Sequence, residues 1–445
     1  MISWRTPTRD GGPATPRIVE ACLAASIVAM LSNAILGPVF DPTQLGGDSI
    51  GWLRLAWAPV YAAIATLACW RSREIAQFWR PASLVFVLVA WAAASVLWSG
   101  DPETTGRRAV ALAFTTLFGL YLPASFGGRA CSRLLAATFL VLGVGALAVC
   151  LVIPGFGIDH DANPGAWKGL WYEKNEMGDV MAYGGISCAA AALTDAKWRR
   201  WWAMGTLFCA GMVLMSRSVT FMGVLVGALA CMGLLQWARR GPIAGLISSW
   251  ICVTVVGVVG LFASISSDAL YNLLGKDPTI SGRTNIWRAA GHWADQAPWL
   301  GYGYEGFWTD ASAPARSIRS ELGWLVPNAH NGWLDIRLEL GWIGFVIVAI
   351  VFAATTLALL ARGWKVRDGG WSAAFFITFI VSTLSESLIL EQNNLSWVLC
   401  VAAMARLLGP QPREVAASAA LSVQGFRATY VFAGAGQGAD LATGG

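Results

Sequence analysis

Twelve stretches of about twenty mostly apolar residues recur along this chain, at 18–36, 52–70, 82–98, 107–125, 134–154, 175–194, 200–216, 218–237, 243–265, 332–360, 372–390 and 393–409. A helix needs about 20 such residues to cross roughly 30 Å of hydrocarbon. The sequence therefore predicts an all-α polytopic membrane protein with about twelve transmembrane helices. Only 13% of the residues are charged and the mean hydropathy is +0.56, values far from those of a soluble domain. One long interval breaks the pattern: from Ser266 to Asn331 the chain is polar, and that is where water-side chemistry can sit.

The chain thus divides into a short N-terminal segment (1–17), helices over 18–265, a polar loop over 266–331, further helices over 332–409 and a tail (410–445) whose composition predicts disorder. The first apolar segment is too long for a signal peptide and lacks a small-residue cleavage site, so it is expected to stay as the first helix. All nine cysteines fall in or beside apolar segments and none lies in the polar interval, which argues against structural disulfides. With three histidines besides, a thiolate or imidazole metal site is not expected.

The net charge of +5 invites a nucleic-acid reading, but its distribution follows membrane topology instead. Arg5, Arg9 and Arg17, Arg71 and Arg73, Arg129 and Arg133, Arg199 and Arg200, Arg239 and Arg240, and Arg362 fall in alternate loops, while Asp41, Asp48, Asp101, Glu103, Asp159, Asp161, Glu386 and Glu391 mark the others. The positive-inside rule puts both termini in the cytoplasm and the interval 266–331 outside. In a bacterial inner membrane that face is periplasmic.

Several polar residues recur on this outer face. Arg107 and Arg108 follow Trp98-Ser99-Gly100-Asp101-Pro102 where topology does not ask for arginine; snorkelling and substrate binding fit them equally. Lys174 and Asn175 open a helix, where free N–H groups and the dipole favour an anion. Arg217, in the very short connection Ser216-Arg217-Ser218 between the seventh and eighth spans, is costly so near the membrane unless it is paired or faces a polar cavity. From Arg283 the apolar residues Ile286, Trp287, Ala290, Trp293, Ala294 and Ala297 recur at helical spacing, predicting an amphipathic helix that ends before Pro298 with Arg283 on the face of Trp287. Gly301, Gly303 and Gly306, interleaved with Tyr302, Tyr304, Phe307 and Trp308, suit a tight turn beside a sugar-stacking surface. Asn328 is expected to cap a helix with His330 in its first turn, where a neutral imidazole can accept a proton. Asn331 adjoins it, Arg337 returns to nearly the same face, and Glu386 closes the eleventh span.

Taken together, Trp98-Ser99-Gly100-Asp101-Pro102, Lys174-Asn175, Ser216-Arg217-Ser218, Ser281-Gly282-Arg283-Thr284-Asn285-Ile286-Trp287 and Ala329-His330-Asn331-Gly332-Trp333-Leu334, followed by Leu338-Glu339-Leu340-Gly341-Trp342-Ile343-Gly344, resemble the O-antigen ligase and polysaccharide polymerase superfamily of bacterial membrane glycosyltransferases. The resemblance covers roughly residues 80–405. It implies a GT-C-like fold, a glycan donor on undecaprenyl diphosphate used at the periplasmic face, and no nucleotide, cofactor or metal. By that resemblance Arg217 and Arg283 hold the diphosphate, joined by Lys174 from its helix start, and His330 acts on the acceptor. Asn175, Arg108, Asn331, Arg337 and Glu386 are the further candidate substrate contacts.

Guanidinium groups suit diphosphate oxygens, and stabilising charge on the departing lipid diphosphate lowers the barrier. The acceptor is either another lipid-linked repeat, which makes a polymerase with a possible chain-length regulator as partner, or lipid A–core, which makes a ligase. Lys174-Asn175, the Ser281–Thr284 form and Ser385-Glu386-Ser387 favour the exopolysaccharide-polymerase branch. A transporter or flippase is the competing class. It fits less well, because such proteins carry internal repeats and midplane charges, whereas here the polar groups gather at one face.

Overall fold

The computed structural model describes residues 14–34, 55–78, 82–160, 163–248, 250–251, 283–363, 366 and 368–409. Residues 1–13, the tail, most of the expected ninth span and the first part of the polar interval, with Ser281 and Gly282, lie outside the described residues. So do parts of the first two expected spans.

The architecture is helical, and the bridge between Ile158 and Trp167 is an isolated one. In chain order the helices are α1 (Ala14–Leu31), α2 (Ala58–Trp70), α3 (Ser72–Ala76), α4 (Ser83–Ala94), α5 (Pro102–Ser125), α6 (Gly128–Val152), α7 (Pro154–Gly157), α8 (Lys174–Thr194), α9 (Arg199–Met215), α10 (Val219–Ala238), α11 (Arg283–Gln296), α12 (Ala313–Leu322), α13 (Gly332–Arg362), α14 (Trp371–Ser382) and α15 (Leu395–Leu408). Among the described residues, α5, α6, α10 and α13 are long and apolar enough to cross a membrane. That makes the chain an all-α membrane protein.

Two expected spans differ in a way that builds the site. The apolar run 372–390 is helical only to Ser382, and residues 383–394 form a loop before α15. At 1.5 Å per residue α14 reaches about 18 Å, short of the roughly 30 Å that hydrocarbon requires. Its Asp368 end shares a level with its longer neighbours, because a Cβ on Gly128, at the start of α6, would meet both Asp368, just before α14, and Arg406, near the end of α15. The loop 383–394 therefore lies within the bundle rather than at the helix ends: Asn393 N donates to Thr115 Oγ1 at 3.0 Å, near the middle of α5. The short helices tolerate this because protein surrounds them: Phe375, Phe376, Phe379, Trp397 and Leu399 are fully buried.

The second difference is in α13. Gly341 has φ +63 and ψ −165, so the helix breaks there and the residues from Gly332 to Leu340 form a separate short rod ahead of the apolar one. The break is fixed by a close approach. Trp342 N donates to Pro298 O at 2.7 Å, and a side chain on Gly341 would strike the carbonyl of Trp299. Arg362 at the inner end bonds Leu408 O, whereas Gly332 N donates to Thr383 O at 2.9 Å and Glu386 O at 3.2 Å. From Gly341 back to Gly332 the chain thus descends toward the recessed loop.

The polar interval has its own core. Ile286, Ala290 and Ala294 of α11 pack with Phe307, Trp308, Ile318 of α12, Val326, Ala329 and Leu338 in a cluster separate from the bundle core. Burial of Ile286, Ala290 and Ala294 at helical spacing is the amphipathic pattern legible in the sequence.

Gly341→Ala should cost about 1–3 kcal/mol for the left-handed conformation alone and lower the thermal unfolding midpoint of the detergent-solubilised protein. Gly233→Ala in α10, with open space around it, should leave the midpoint unchanged or slightly raised. Equal midpoints for the two variants would show that the break at Gly341 is not conformationally demanding.

Candidate functional site

The site starts from α11. Trp287 donates its indole N–H to Ala329 O at 2.9 Å, which pins the helix against the segment just before His330. Arg283 lies four residues earlier on the same face, so this tie carries its guanidinium to the recessed loop. There Nη2 donates to Glu386 Oε1 at 3.3 Å. The anionic partner that the helical phase of Arg283 demands is therefore Glu386.

His330 meets the same carboxylate from the other side, with Nδ1 at 3.6 Å from Glu386 Oε2. That is ion-pair rather than hydrogen-bond distance. The local geometry departs from the sequence expectation. His330 is not in a helix: it holds φ +48, and the helix start is capped by Asn331, whose Oδ1 accepts from Trp333 N at 3.1 Å and Leu334 N at 3.3 Å. Asn328 instead accepts from His330 N at 3.0 Å, forming a turn. A β-branched or bulky residue in that turn is rare, and a left-handed histidine persists only where its surroundings over-determine it. Arg283, Glu386 and His330 keep 31, 23 and 28% of their side-chain surface, enough to meet a substrate.

This arrangement offers one carboxylate with an oxygen toward each neighbour. Glu386 occupies part of the Arg283 fork, and a guanidinium has five N–H donors. Groups on this side of the bundle can therefore bind an anion at Arg283 and move a proton at the imidazole.

The remaining candidates separate into a second group and several structural ties. Ser218 Oγ donates to Asn175 Oδ1 at 2.9 Å, which joins the start of α8, with Lys174, to the Ser216–Ser218 hairpin. Arg217 stands in that hairpin with φ +52, exposed, and donates Nη1 to Pro164 O at 3.0 Å. Arg108 pairs with Glu305 at 2.6 Å. Arg337 pairs with Asp295 of α11 and lies 4.7 Å from the Trp342 ring, so its partners are on α11 and at the helix break, not at His330.

The glycine-aromatic turn also differs from expectation. Tyr304, Phe307 and Trp308 are 1, 0 and 8% exposed, and Tyr302, Phe307 and Trp308 pack edge-on against one another. They form core, not a sugar-stacking surface. A Cβ on Gly303, at φ +96, would come within 2.5 Å of Ser99, so the turn sits directly on the loop after α4. Tyr304 fastens it, accepting at its carbonyl from Thr105 and donating its hydroxyl to Leu390 O at 2.6 Å. Burial holds that hydroxyl well above the usual tyrosine range.

Glu391, Glu305 and Asp179 carry no motif that marks them beforehand. Burial pushes the Glu391 carboxyl well above the usual carboxylate range, and the charges of Glu305, Glu176, Asp179 and Glu386 add to it. Asn394 Nδ2 donates to it at 2.7 Å. The start of α8, the Tyr304 turn and the Glu386 loop thus converge around Glu391.

Residues 202–349 match the protein family described as O-antigen ligase. That segment contains Arg217, Arg283, His330, Asn331 and Arg337. This match supports the O-antigen ligase and polysaccharide polymerase superfamily. The chain is also 24% identical over 294 residues to the exopolysaccharide production protein ExoQ of Rhizobium meliloti (strain 1021), covering 62% of this chain and 65% of that protein, just under two thirds of its length. Glu386, Glu391, Lys174 and Arg108 lie outside the O-antigen ligase segment, so the site is completed by helices on both sides of it.

A carboxyl raised by burial favours the folded state only while protonated, so its contribution is present at low pH and is lost as pH rises above the ordinary carboxylate range toward the folded value. Glu391→Gln should therefore match wild-type thermal stability at about pH 4 and exceed it increasingly toward pH 8. A variant less stable than wild type at pH 8 would mean that Glu391 is held as the anion.

Proposed function

We propose that this protein is a membrane glycosyltransferase that moves a glycan from undecaprenyl diphosphate to an acceptor hydroxyl at the periplasmic face of the bacterial inner membrane, with both termini cytoplasmic. The observation that supports the reading is the placement of Glu386 between Arg283 and His330, all three partly exposed. A site set among the helices of the bundle, with its loop tied to the middle of α5, suits a diphosphate tethered to a lipid.

In this reading Arg283, together with Arg217 and Lys174 of the α8 and hairpin group, binds the diphosphate. The acceptor oxygen attacks the anomeric carbon, the bond from that carbon to the phosphate oxygen breaks, and the electron pair leaves on the lipid diphosphate. His330 takes the hydroxyl proton, and Glu386 stabilises the imidazolium that results. A single displacement inverts the anomeric centre, and arginine rather than a metal ion carries the charge stabilisation. The acceptor is taken to be a second lipid-linked repeat, making the protein a polysaccharide polymerase; the name of the Rhizobium relative, an exopolysaccharide production protein, supports this over transfer to lipid A–core.

His330→Ala and Arg283→Ala should each cut glycan transfer from a lipid-diphosphate donor by at least about a hundredfold, the range of general-base and electrostatic contributions, while the proteins insert normally. Transfer at wild-type rate by either inserted variant would end the assignment. Deleting the protein from its host separates the two acceptors: single lipid-linked repeats accumulate if it polymerises, and finished polymer stays on the lipid carrier if it ligates.

A further inference from the structure

Asp335 lies on the first turn of α13, below the solvent-facing groups of the site, and is 7% exposed. Three donors converge on its carboxylate from three separate parts of the chain. Trp308 Nε1 donates to Oδ1 at 2.8 Å, the backbone N–H of Ala329 reaches both oxygens at 3.2 Å, and the Ser387 hydroxyl donates to Oδ2. A buried carboxylate that accepts this many hydrogen bonds fixes the segments that supply them.

Two of those segments carry the site. Ala329 immediately precedes His330, and Ser387 immediately follows Glu386. Ala329 is held at both ends of its peptide, since its carbonyl accepts from Trp287 of the helix that bears Arg283. The neighbouring backbone repeats the link, with Gly332 N donating to Thr383 O and Glu386 O. Its hydrogen-bond partners are Trp308, Ala329 and Ser387 rather than Arg283, Glu386 or His330, and two of them adjoin the two halves of the His330–Glu386 pair.

We propose that Asp335 is a positioning residue that sets the spacing and register of the imidazole and the Glu386 carboxylate. The proposal rests on the reading of His330 as the proton acceptor. It deepens that reading by assigning the geometry of the pair to a buried group outside it. Loss of Asp335 frees the His330 turn and the Glu386 loop to drift apart, which weakens proton transfer while leaving the diphosphate contacts of Arg217 and Lys174 in place.

The test is steady-state transfer from a lipid-diphosphate donor by the full-length protein in detergent or nanodiscs. Asp335→Ala is expected to lower kcat by thirtyfold or more with the donor KM within threefold of wild type, and to shift the acidic limb of the kcat–pH profile. Asp335→Asn keeps one oxygen for Trp308 and Ala329 and offers its amide to the Ser387 hydroxyl, so it should recover most of the loss. Ser387→Ala removes only the tie to the Glu386 loop and leaves the outer core alone; it should lower kcat about tenfold with KM unchanged, and it decides the matter if Asp335→Ala does not fold.

A fall in kcat/KM that comes from KM, an unmoved pH profile, or wild-type kcat in Ser387→Ala overturns the proposal. His330→Ala measured alongside keeps the two claims apart: an active His330→Ala removes the underlying reading, whereas an inactive one beside a fully active Ser387→Ala removes Asp335 alone.

Discussion

The loop at 383–394 is lowered into the bundle because α14 and α15 are too short to cross, and the rest of the outer architecture is a response to that. Buried backbone must find partners, and here they come from four directions. Tyr304 reaches down to Leu390 O, Thr115 of α5 accepts from Asn393 N at 3.0 Å, the head of α13 bonds Thr383 and Glu386, and Asn394 caps α15 by accepting from Ser396 N at 2.7 Å. Leu390 and Asn393 hold φ +61 and +55, conformations that persist only under such restraint. The same restraint gives the loop the rigidity that a site needs, because residues delivered on a tethered loop cannot drift by the ångström that weakens catalysis.

Charge makes the second constraint. Asp179, Glu305 and Glu391 crowd the same region as Glu386, a density of carboxyl groups that would repel a diphosphate if all were ionised. Pairing and burial divide the load. Glu305 is matched by Arg108, Glu386 by Arg283, and Glu391 is driven toward its neutral form. Arg217 stays exposed on its hairpin. In the proposed mechanism the cationic groups take the phosphate, the acidic groups lie behind them, and the imidazole takes the proton of the attacking hydroxyl.

The sequence carried the local pattern well and the tertiary pattern poorly, for a physical reason. The amphipathic run from Arg283 is read from a 3.6-residue period, and the structure buries the residues that period selects. The need of Arg283 for an anion followed from the same phase. The identity of that anion did not, since Glu386 lies 103 residues away and no local rule connects them. Apolar runs were likewise read as spans to their last residue, although hydropathy alone does not distinguish a helix from a loop when both are buried; 383–390 is such a case. The aromatic turn at Tyr302–Trp308 was misjudged because its rings are packed by α11, α12 and one another, which composition does not reveal.

His330 shows how the two levels combine. An Asn-x-His-Asn-Gly string ahead of an apolar run signals a helix start, and there is one, but its cap is Asn331 rather than Asn328. The shift of a few residues changes the chemistry. Inside a first turn the imidazole would face the helix dipole and be steered by it; in a left-handed turn outside the helix it is steered by whatever fixes the turn. Those fixings are Trp287 on one side of Ala329 and Asp335 on the other, so the orientation of His330 depends on the helix that carries Arg283 and on the rod that Gly341 turns inward. The break at Gly341, the shortness of α14 and the phase of α11 are thus three conditions on one geometry.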